Sequence, residues 1–103
     1  MDSGLFTNEK REIIMSNVVM YITRFCPFCI MVKKIFDDLN VPYEEIGVDQ
    51  YPEKRQEMTK ITNRHTVPQV FIGDRHVGGC DDTQNALHSG QLKVWLKEAG
   101  INV

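Results

Sequence analysis

Two cysteines three positions apart constrain this chain more than any other feature. Cys26-Pro27-Phe28-Cys29 follows the apolar run 18–22 and precedes a segment with helical spacing. A cysteine at a helix start faces unpaired backbone N–H groups and the positive end of the helix dipole, and both favour thiolate over thiol. Proline is tolerated in the first turn because its missing N–H would have no helical partner there. The first cysteine can therefore attack and the second, about one turn later, can resolve, as a redox pair.

The same motif is also half of a zinc site, which usually needs a second pair of Cys or His at ligand spacing. The remaining candidates are Cys80, His65, His76 and His88, and none is paired in that fashion. We therefore expect no metal. Two ordinary core cysteines are a weaker alternative still, because the proline and the flanking strand–helix pattern would then be coincidence. A CxxC motif near a βαβ pattern is typical of a thioredoxin-like redox site.

Length and charge set the class of protein. With 103 residues, 42% hydrophobic and 25% charged, the chain predicts one globular domain. A net charge of −2 gives no reason to expect a nucleic-acid partner, and no apolar run is long enough to span a membrane. Three cysteines, two of them too close to staple a fold, fit a reducing compartment. We expect a cytoplasmic protein.

Residues 1–15 are predicted to be an N-terminal extension, either frayed or a short helix, and the domain is predicted to span 16–103. The extension is charged at 9–12 and lacks the apolar core of a secretory signal.

The hydrophobic pattern places eight elements along the domain. They are strand 18–22, helix 27–39, strand 43–48, helix 52–62, strand 69–72, strand 75–77, helix 82–89 and an apolar stripe through 92–99. The first three elements predict a right-handed parallel βαβ unit, and Gly73-Asp74 predicts a hairpin. The order predicts an α/β fold, a four-stranded mixed sheet with helices on both faces.

Spacing also predicts which side chains the first two helices bury. Five apolar residues recur at three- and four-residue steps in the first helix: Phe28, Val32, Ile35, Phe36 and Leu39. In the second helix, Met58 and Ile61 are predicted to face inward.

Three separated stretches are expected to converge at one end of the sheet. The CxxC motif leaves the carboxyl end of the first strand, where ligands sit in open α/β sheets. A cis bond before Pro68 would turn the preceding backbone towards the cysteines, although Thr66-Val67-Pro68 is equally a plain strand entry. Residues 78–82, Gly-Gly-Cys-Asp-Asp, offer N–H groups suited to a carboxylate and aspartates that can cap the next helix, although they are equally a plain turn.

Together, residues 26–29, 66–68 and 78–82, in that order and spacing, resemble a dithiol glutaredoxin over about 16–99. Thioredoxin is less similar, since it carries Gly-Pro between its cysteines and lacks the glycine-aspartate turn. The resemblance implies a thioredoxin fold and the reduction of disulfides and glutathione mixed disulfides with glutathione as co-substrate. It also implies glutathionylated or disulfide-bonded protein partners, and we expect a monomer.

The resemblance assigns a role to each motif residue. Cys26 is the implied nucleophile and Cys29 the implied resolving thiol. The implied glutathione-binding residues are Arg64, Thr66, Val67, Pro68, Gly79, Cys80, Asp81 and Asp82. Within that set, Val67 would pair its backbone with the glutathione cysteine, and Arg64 would meet the glycyl carboxylate. The N–H groups of residues 80–81 would bind the γ-glutamyl carboxylate, and Asp82, with Asp81, its amine.

The chain departs from the family pattern at two positions, Thr23, where many members carry Lys or Arg, and Phe28, where Tyr is common. Thr23 puts one glutathione contact in doubt, and the adjacent Arg24 either replaces that charge or points elsewhere. A second function of another class is a carrier of a [2Fe–2S] cluster held by Cys26 and glutathione. Pro27 argues against it, because relatives with that role usually have Gly there.

Overall fold

The computed structural model describes residues 17–103. The predicted extension, residues 1–15, and residue 16 lie outside this range. The elements are β1 (Val18–Ile22), α1 (Pro27–Asp38), β2 (Glu44–Gly47), α2 (Pro52–Thr62), β3 (Gln69–Ile72), β4 (Arg75–Gly78), α3 (Cys80–Ser89) and α4 (Gln91–Glu98). Each predicted element is present, with ends within two residues of the predicted ones.

The four strands form one mixed sheet in the order β2-β1-β3-β4. β1 runs parallel to β2, with Val19 opposite Glu44, and antiparallel to β3, with Met20 opposite Val70. β4 returns antiparallel to β3 after the turn at 73–74. The parallel βαβ unit, the hairpin and the mixed sheet are therefore confirmed.

β1 is covered on both faces because successive side chains of a strand point to opposite sides of the sheet. Val18, Met20 and Ile22 pack with side chains of α1, α3 and α4 in the larger core cluster. Tyr21, between them in sequence, packs in a second cluster with Met58 of α2. Helices thus cover both faces, as predicted.

Two side chains predicted to be buried are exposed instead. Ile61 is 52% exposed, because α2 contacts the sheet through Met58, its one fully buried residue, and Ile61 lies at the rim. Phe28 is 57% exposed, because the first turn of α1 borders an open cleft rather than the sheet. The predictions that these two side chains belong to the core were wrong.

The third helix begins two residues earlier than predicted, at Cys80. Its N-cap is Gly79, and Asp82 is the third helical residue rather than the cap. No helix within residues 17–103 is long and apolar enough to cross a membrane.

Candidate active site

Cys26 is the N-cap of α1, in extended conformation at the end of the connection from β1. Its sulfur accepts a hydrogen bond from the backbone N–H of Cys29 at 3.2 Å. The thiol also lies 3.9 Å from the carbonyl oxygen of Val67, to which it can donate. Because no acidic residue stands in the first turn of α1, the unpaired N–H groups of that turn face the sulfur without a competing carboxylate.

Cys29 lies one turn further on and is 1% exposed. Burial raises the pKa of its thiol to about 12, and the hydrogen bond with the Cys26 side chain acts in the same direction. Cys29 is therefore a neutral thiol at physiological pH. All three cysteines of the chain are free thiols in the structure.

The second wall of the site is the segment before β3. The Val67–Pro68 peptide bond is cis. Of the two alternatives that the sequence left open, a cis bond and a plain strand entry, the structure has the first. The Val67 carbonyl lies beside the Cys26 sulfur. An extended peptide bound along this segment would therefore meet the reactive thiol.

The third wall is the start of α3. One oxygen of Asp82 accepts the backbone N–H of Gly79 at 2.9 Å and the guanidinium N–H of Arg64 at 3.0 Å. The Gly79 N–H, followed by Arg64, lowers the pKa of this carboxyl below its usual value. Gly78 permits the arrangement, because its φ is +119° and a Cβ there would collide with the carboxylate.

These walls enclose an open cleft of about 240 Å³. Its lining consists of Phe28, Arg64, Thr66, Val67, Pro68, Gly79, Cys80, Asp81 and Asp82. All eight residues that the sequence assigned to glutathione binding therefore lie around one cavity. The cleft is also lined by Phe28, which the resemblance did not assign to glutathione binding. Its ring is exposed, and it lies between the two cysteines in sequence.

Cys80 is a buried residue of this lining, 7% exposed. Burial, followed by the charge of Asp81 and the neighbouring Cys26, raises the pKa of its thiol. Cys80 therefore stays protonated at neutral pH and is a weaker nucleophile than an ionised thiol.

Arg24 does not provide a free cation beside the thiol. Its Nε lies 3.0 Å from Asp49 Oδ2, and its backbone N–H donates to the same oxygen at 3.3 Å. The arginine holds the pKa of Asp49 below its usual value. Thr23 is neutral, so position 23 itself lacks the positive charge that the resemblance led us to expect there.

No metal-binding cluster appears in the part of the chain that the structure describes: within 17–103, no three His, Cys, Asp or Glu side chains are grouped so that they could hold an ion. The chemistry that this arrangement can perform is thiol–disulfide exchange. The sulfur of Cys26, which is 8% exposed, lies beside the carbonyl of the cleft-lining Val67, and Cys29 is buried one turn further on.

Comparison with known proteins agrees with this chemistry. The model of the family described as Glutaredoxin matches residues 18–77. The chain belongs to the glutaredoxin family. It is thus a thiol–disulfide oxidoreductase of a glutathione-dependent family, and the resemblance drawn from residues 26–29, 66–68 and 78–82 is confirmed.

Individual relatives extend the match beyond that segment. Glutaredoxin of Pseudomonas aeruginosa is 42% identical over 82 residues, which cover 80% of this chain and 98% of that protein. Glutaredoxin 3 of Escherichia coli is 43% identical over 83 residues, covering 81% and 100%. Among solved structures, a buckwheat glutaredoxin–glutathione complex superimposes with a TM-score of 0.79 at 34% identity, covering 85% of this chain and 83% of that one. The thioredoxin fold is therefore confirmed.

Proposed function

We propose that this glutaredoxin reduces glutathione mixed disulfides and protein disulfides through Cys26 and Cys29, with glutathione bound in the cleft beside them. The observation that carries the proposal is the convergence of three walls on the Cys26 sulfur: the start of α1, the cis-proline segment and the start of α3. The buckwheat relative, whose structure is a complex with glutathione, supports the choice of ligand.

The cleft matches the charges of glutathione. Its open backbone N–H groups at the start of α3 suit the γ-glutamyl carboxylate, and the ionised Asp82 suits the neighbouring amine. Arg64 lies within the same lining and is the cation for the glycyl carboxylate. In the free protein Arg64 and Asp82 pair with each other, so the ligand exchanges one ion pair for two.

Reduction of a glutathione mixed disulfide needs Cys26 alone. Its thiolate attacks the glutathione sulfur, the substrate thiolate leaves, and a Cys26–glutathione disulfide forms. A second glutathione thiolate attacks the sulfur of the bound glutathione, releasing glutathione disulfide and the Cys26 thiolate. The net reaction consumes one free glutathione and yields the substrate thiol and glutathione disulfide, whose other half is the glutathionyl group that the substrate carried. The proton of the attacking glutathione thiol balances the one taken up by the departing substrate thiolate.

Reduction of a protein disulfide uses both cysteines. Cys26 attacks one substrate sulfur to form a mixed disulfide, and Cys29, once deprotonated, attacks the Cys26 sulfur. The reduced substrate leaves and a Cys26–Cys29 disulfide remains, which two glutathione molecules reduce. The raised pKa of Cys29 keeps it from competing as the first nucleophile. We also infer a location in the cytoplasm, because the proposed reaction needs a reducing compartment that supplies glutathione, and we expect a monomer.

The direct test is a coupled glutathione assay with a small glutathione mixed disulfide. Wild type should turn over, and Cys26→Ser should fall to background. A visible spectrum of anaerobically purified protein tests the other class of function: charge-transfer bands from an iron–sulfur cluster, together with absent turnover, would favour the cluster carrier and contradict this proposal.

A further inference from the structure

Gln69, the first residue of β3, carries a polar amide that is 0% exposed. It follows directly after the cis proline and is not part of the cleft lining. A buried amide is costly unless its hydrogen bonds are made within the protein. The partners of this side chain therefore indicate what it holds in place.

The amide bridges two separate parts of the chain. Its nitrogen donates to the carbonyl oxygen of Thr66 at 3.0 Å and lies 3.3 Å from the Thr66 hydroxyl. Its oxygen lies 2.7 Å from Nε2 of His76 on β4. Because the Thr66 carbonyl can only accept, the amide nitrogen faces it, and the oxygen accepts from a His76 that carries its proton on Nε2.

His76 is itself held. Its ring stacks on Phe71 with centroids 4.9 Å apart and planes inclined by 26°. Burial lowers the pKa of the imidazole, and the nearby Arg64 acts in the same direction, so the ring is neutral at physiological pH. The hairpin β3–β4 thus presents a fixed N–H donor to Gln69.

We propose that Gln69, oriented by His76, is a positioning residue for the glutathione cleft. The bond from its amide to Thr66 spans three residues and closes the turn around the cis peptide, so that the Val67 backbone stays aimed at the substrate. Thr66 and Val67 line the cleft, and the Val67 carbonyl lies 3.9 Å from the Cys26 sulfur. The inference rests on the proposed function of the cleft.

The test compares Gln69→Met with Val70→Ala. Methionine keeps the length and burial of the side chain and removes all of its hydrogen bonds. Val70 is the next residue of the same strand and is also 0% exposed, so Val70→Ala loses stability through a cavity without removing the bridge. Steady-state kinetics with a glutathionylated peptide then separate loss of positioning from loss of stability.

For Gln69→Met we expect KM for the peptide to rise about tenfold while kcat changes less than about threefold. Val70→Ala should keep the wild-type KM. Amide resonances of residues 66 and 67 should shift in Gln69→Met and not in Val70→Ala. An unchanged KM in Gln69→Met, or an equal rise in Val70→Ala, would overturn the inference.

His76→Phe provides the test if Gln69→Met does not fold. This variant removes the hydrogen bond from His76 to the Gln69 amide oxygen, and the ring it replaces is only partly buried. KM should rise about threefold. An unchanged KM would overturn the inference. Failure of the proposed function would look different, because the wild type itself would not turn over the peptide. The resonance shifts at residues 66 and 67 would then still decide whether Gln69 shapes the segment.

Discussion

Two helices begin at the same cleft, and their first turns are built in opposite ways. At the start of α1 the cap is the sulfur of Cys26, and the first turn contains no acid. At the start of α3 the cap is Gly79, which has no side chain, and Asp81 and Asp82 stand in the first turn. Asp82 folds back on the Gly79 N–H.

This difference between the two helix starts suits α1 to hold the reacting thiol and α3 to bind a ligand. At α1 the helix field acts on a sulfur whose own helical turn contains no carboxylate. At α3 the carboxylate of Asp82 balances that field, so this start offers both N–H donors and an acceptor, as a zwitterionic ligand requires. In the function that we propose, the start of α1 would therefore favour an attacking thiolate, and the start of α3 would bind the α-amino acid group of glutathione. The two helix starts differ because Asp81 and Asp82 lie in the first turn of α3, whereas the first turn of α1 has no acidic residue.

The largest expected effect concerns the turn of α1. Cys29→Ser should reduce protein-disulfide reduction to background, because no second thiol resolves the mixed disulfide, while reduction of glutathione mixed disulfides continues. Parallel assays on a disulfide-bonded protein and a glutathionylated peptide measure both activities in one preparation. Loss of both activities in a folded variant would mean that Cys29 also serves the first step.

The turn of α3 should respond through binding. Asp82→Asn keeps an oxygen for the Gly79 N–H but removes the charge, so KM for a glutathionylated peptide should rise roughly tenfold or more while kcat stays close to wild type. Asp38→Asn is the matched control, since Asp38 belongs to an exposed pair with Lys34 far along α1. An unchanged KM would remove Asp82 from the binding site.

Acid titration of stability sharpens the same point. The pKa of Asp82 is lowered in the folded protein, so its contribution to stability is present above the pKa of the unfolded chain and is lost as pH falls through the folded value. The melting temperature of Asp82→Asn, measured at a series of pH values, should therefore fall less steeply with decreasing pH than that of wild type. An equal fall of melting temperature with decreasing pH in the two proteins would show that the Asp82 pKa is not lowered by folding.

A smaller effect is expected at the alkaline end for Cys29. Its pKa rises from 9.0 to about 12 on folding, so the unfolded chain ionises first and stability falls as pH rises through this interval. Tyr43, whose pKa burial raises to about 12, contributes to the same loss in both proteins. Under reducing conditions Cys29→Ser should therefore lose stability less steeply than wild type. Equal slopes would show that the folded thiol ionises as easily as a free one.

Thr23→Lys should have the smallest effect. It restores a cation next to the start of α1, where Arg24 is occupied by Asp49. An exposed charge pair is worth up to about 1 kcal/mol, so KM for a glutathionylated peptide should fall by no more than about fivefold. The gain should disappear at high salt. Thr23→Gln controls for side-chain length, and an equal gain in that variant would exclude a role for charge.

The framework of the fold could be predicted from the sequence because apolar runs mark the central strands and helical spacing marks α1. Met20 and Tyr21 alternate between the two cores, and Val32 and Phe36 repeat at one helical turn. The predicted start of α3 was two residues too late because the N-cap of this helix is a glycine. Without a side-chain signal at Gly79, the aspartates that follow looked like the cap.

What the sequence could not show are contacts between distant residues. The partner of Arg24 is Asp49, 25 positions away. Gln69 has the pattern of an ordinary strand residue, and its burial depends on His76 across the hairpin. Phe28 fits the apolar spacing of α1, yet the cleft rather than the sheet lies beside it. Each of these three contacts depends on how separate helices and strands pack against each other. The spacing of apolar residues within one element does not determine that packing.

In the proposed mechanism the Cys26 sulfur, at the start of α1, is the one that takes up glutathione. The most direct measurement is peptide mapping by mass spectrometry of Cys29→Ser after incubation with glutathione disulfide. Cys80 provides the internal control, because it lines the same cleft but has a raised pKa. We expect one glutathione per chain, attached to Cys26. An adduct on Cys80 instead, or none on Cys26 in the folded protein, would contradict the account.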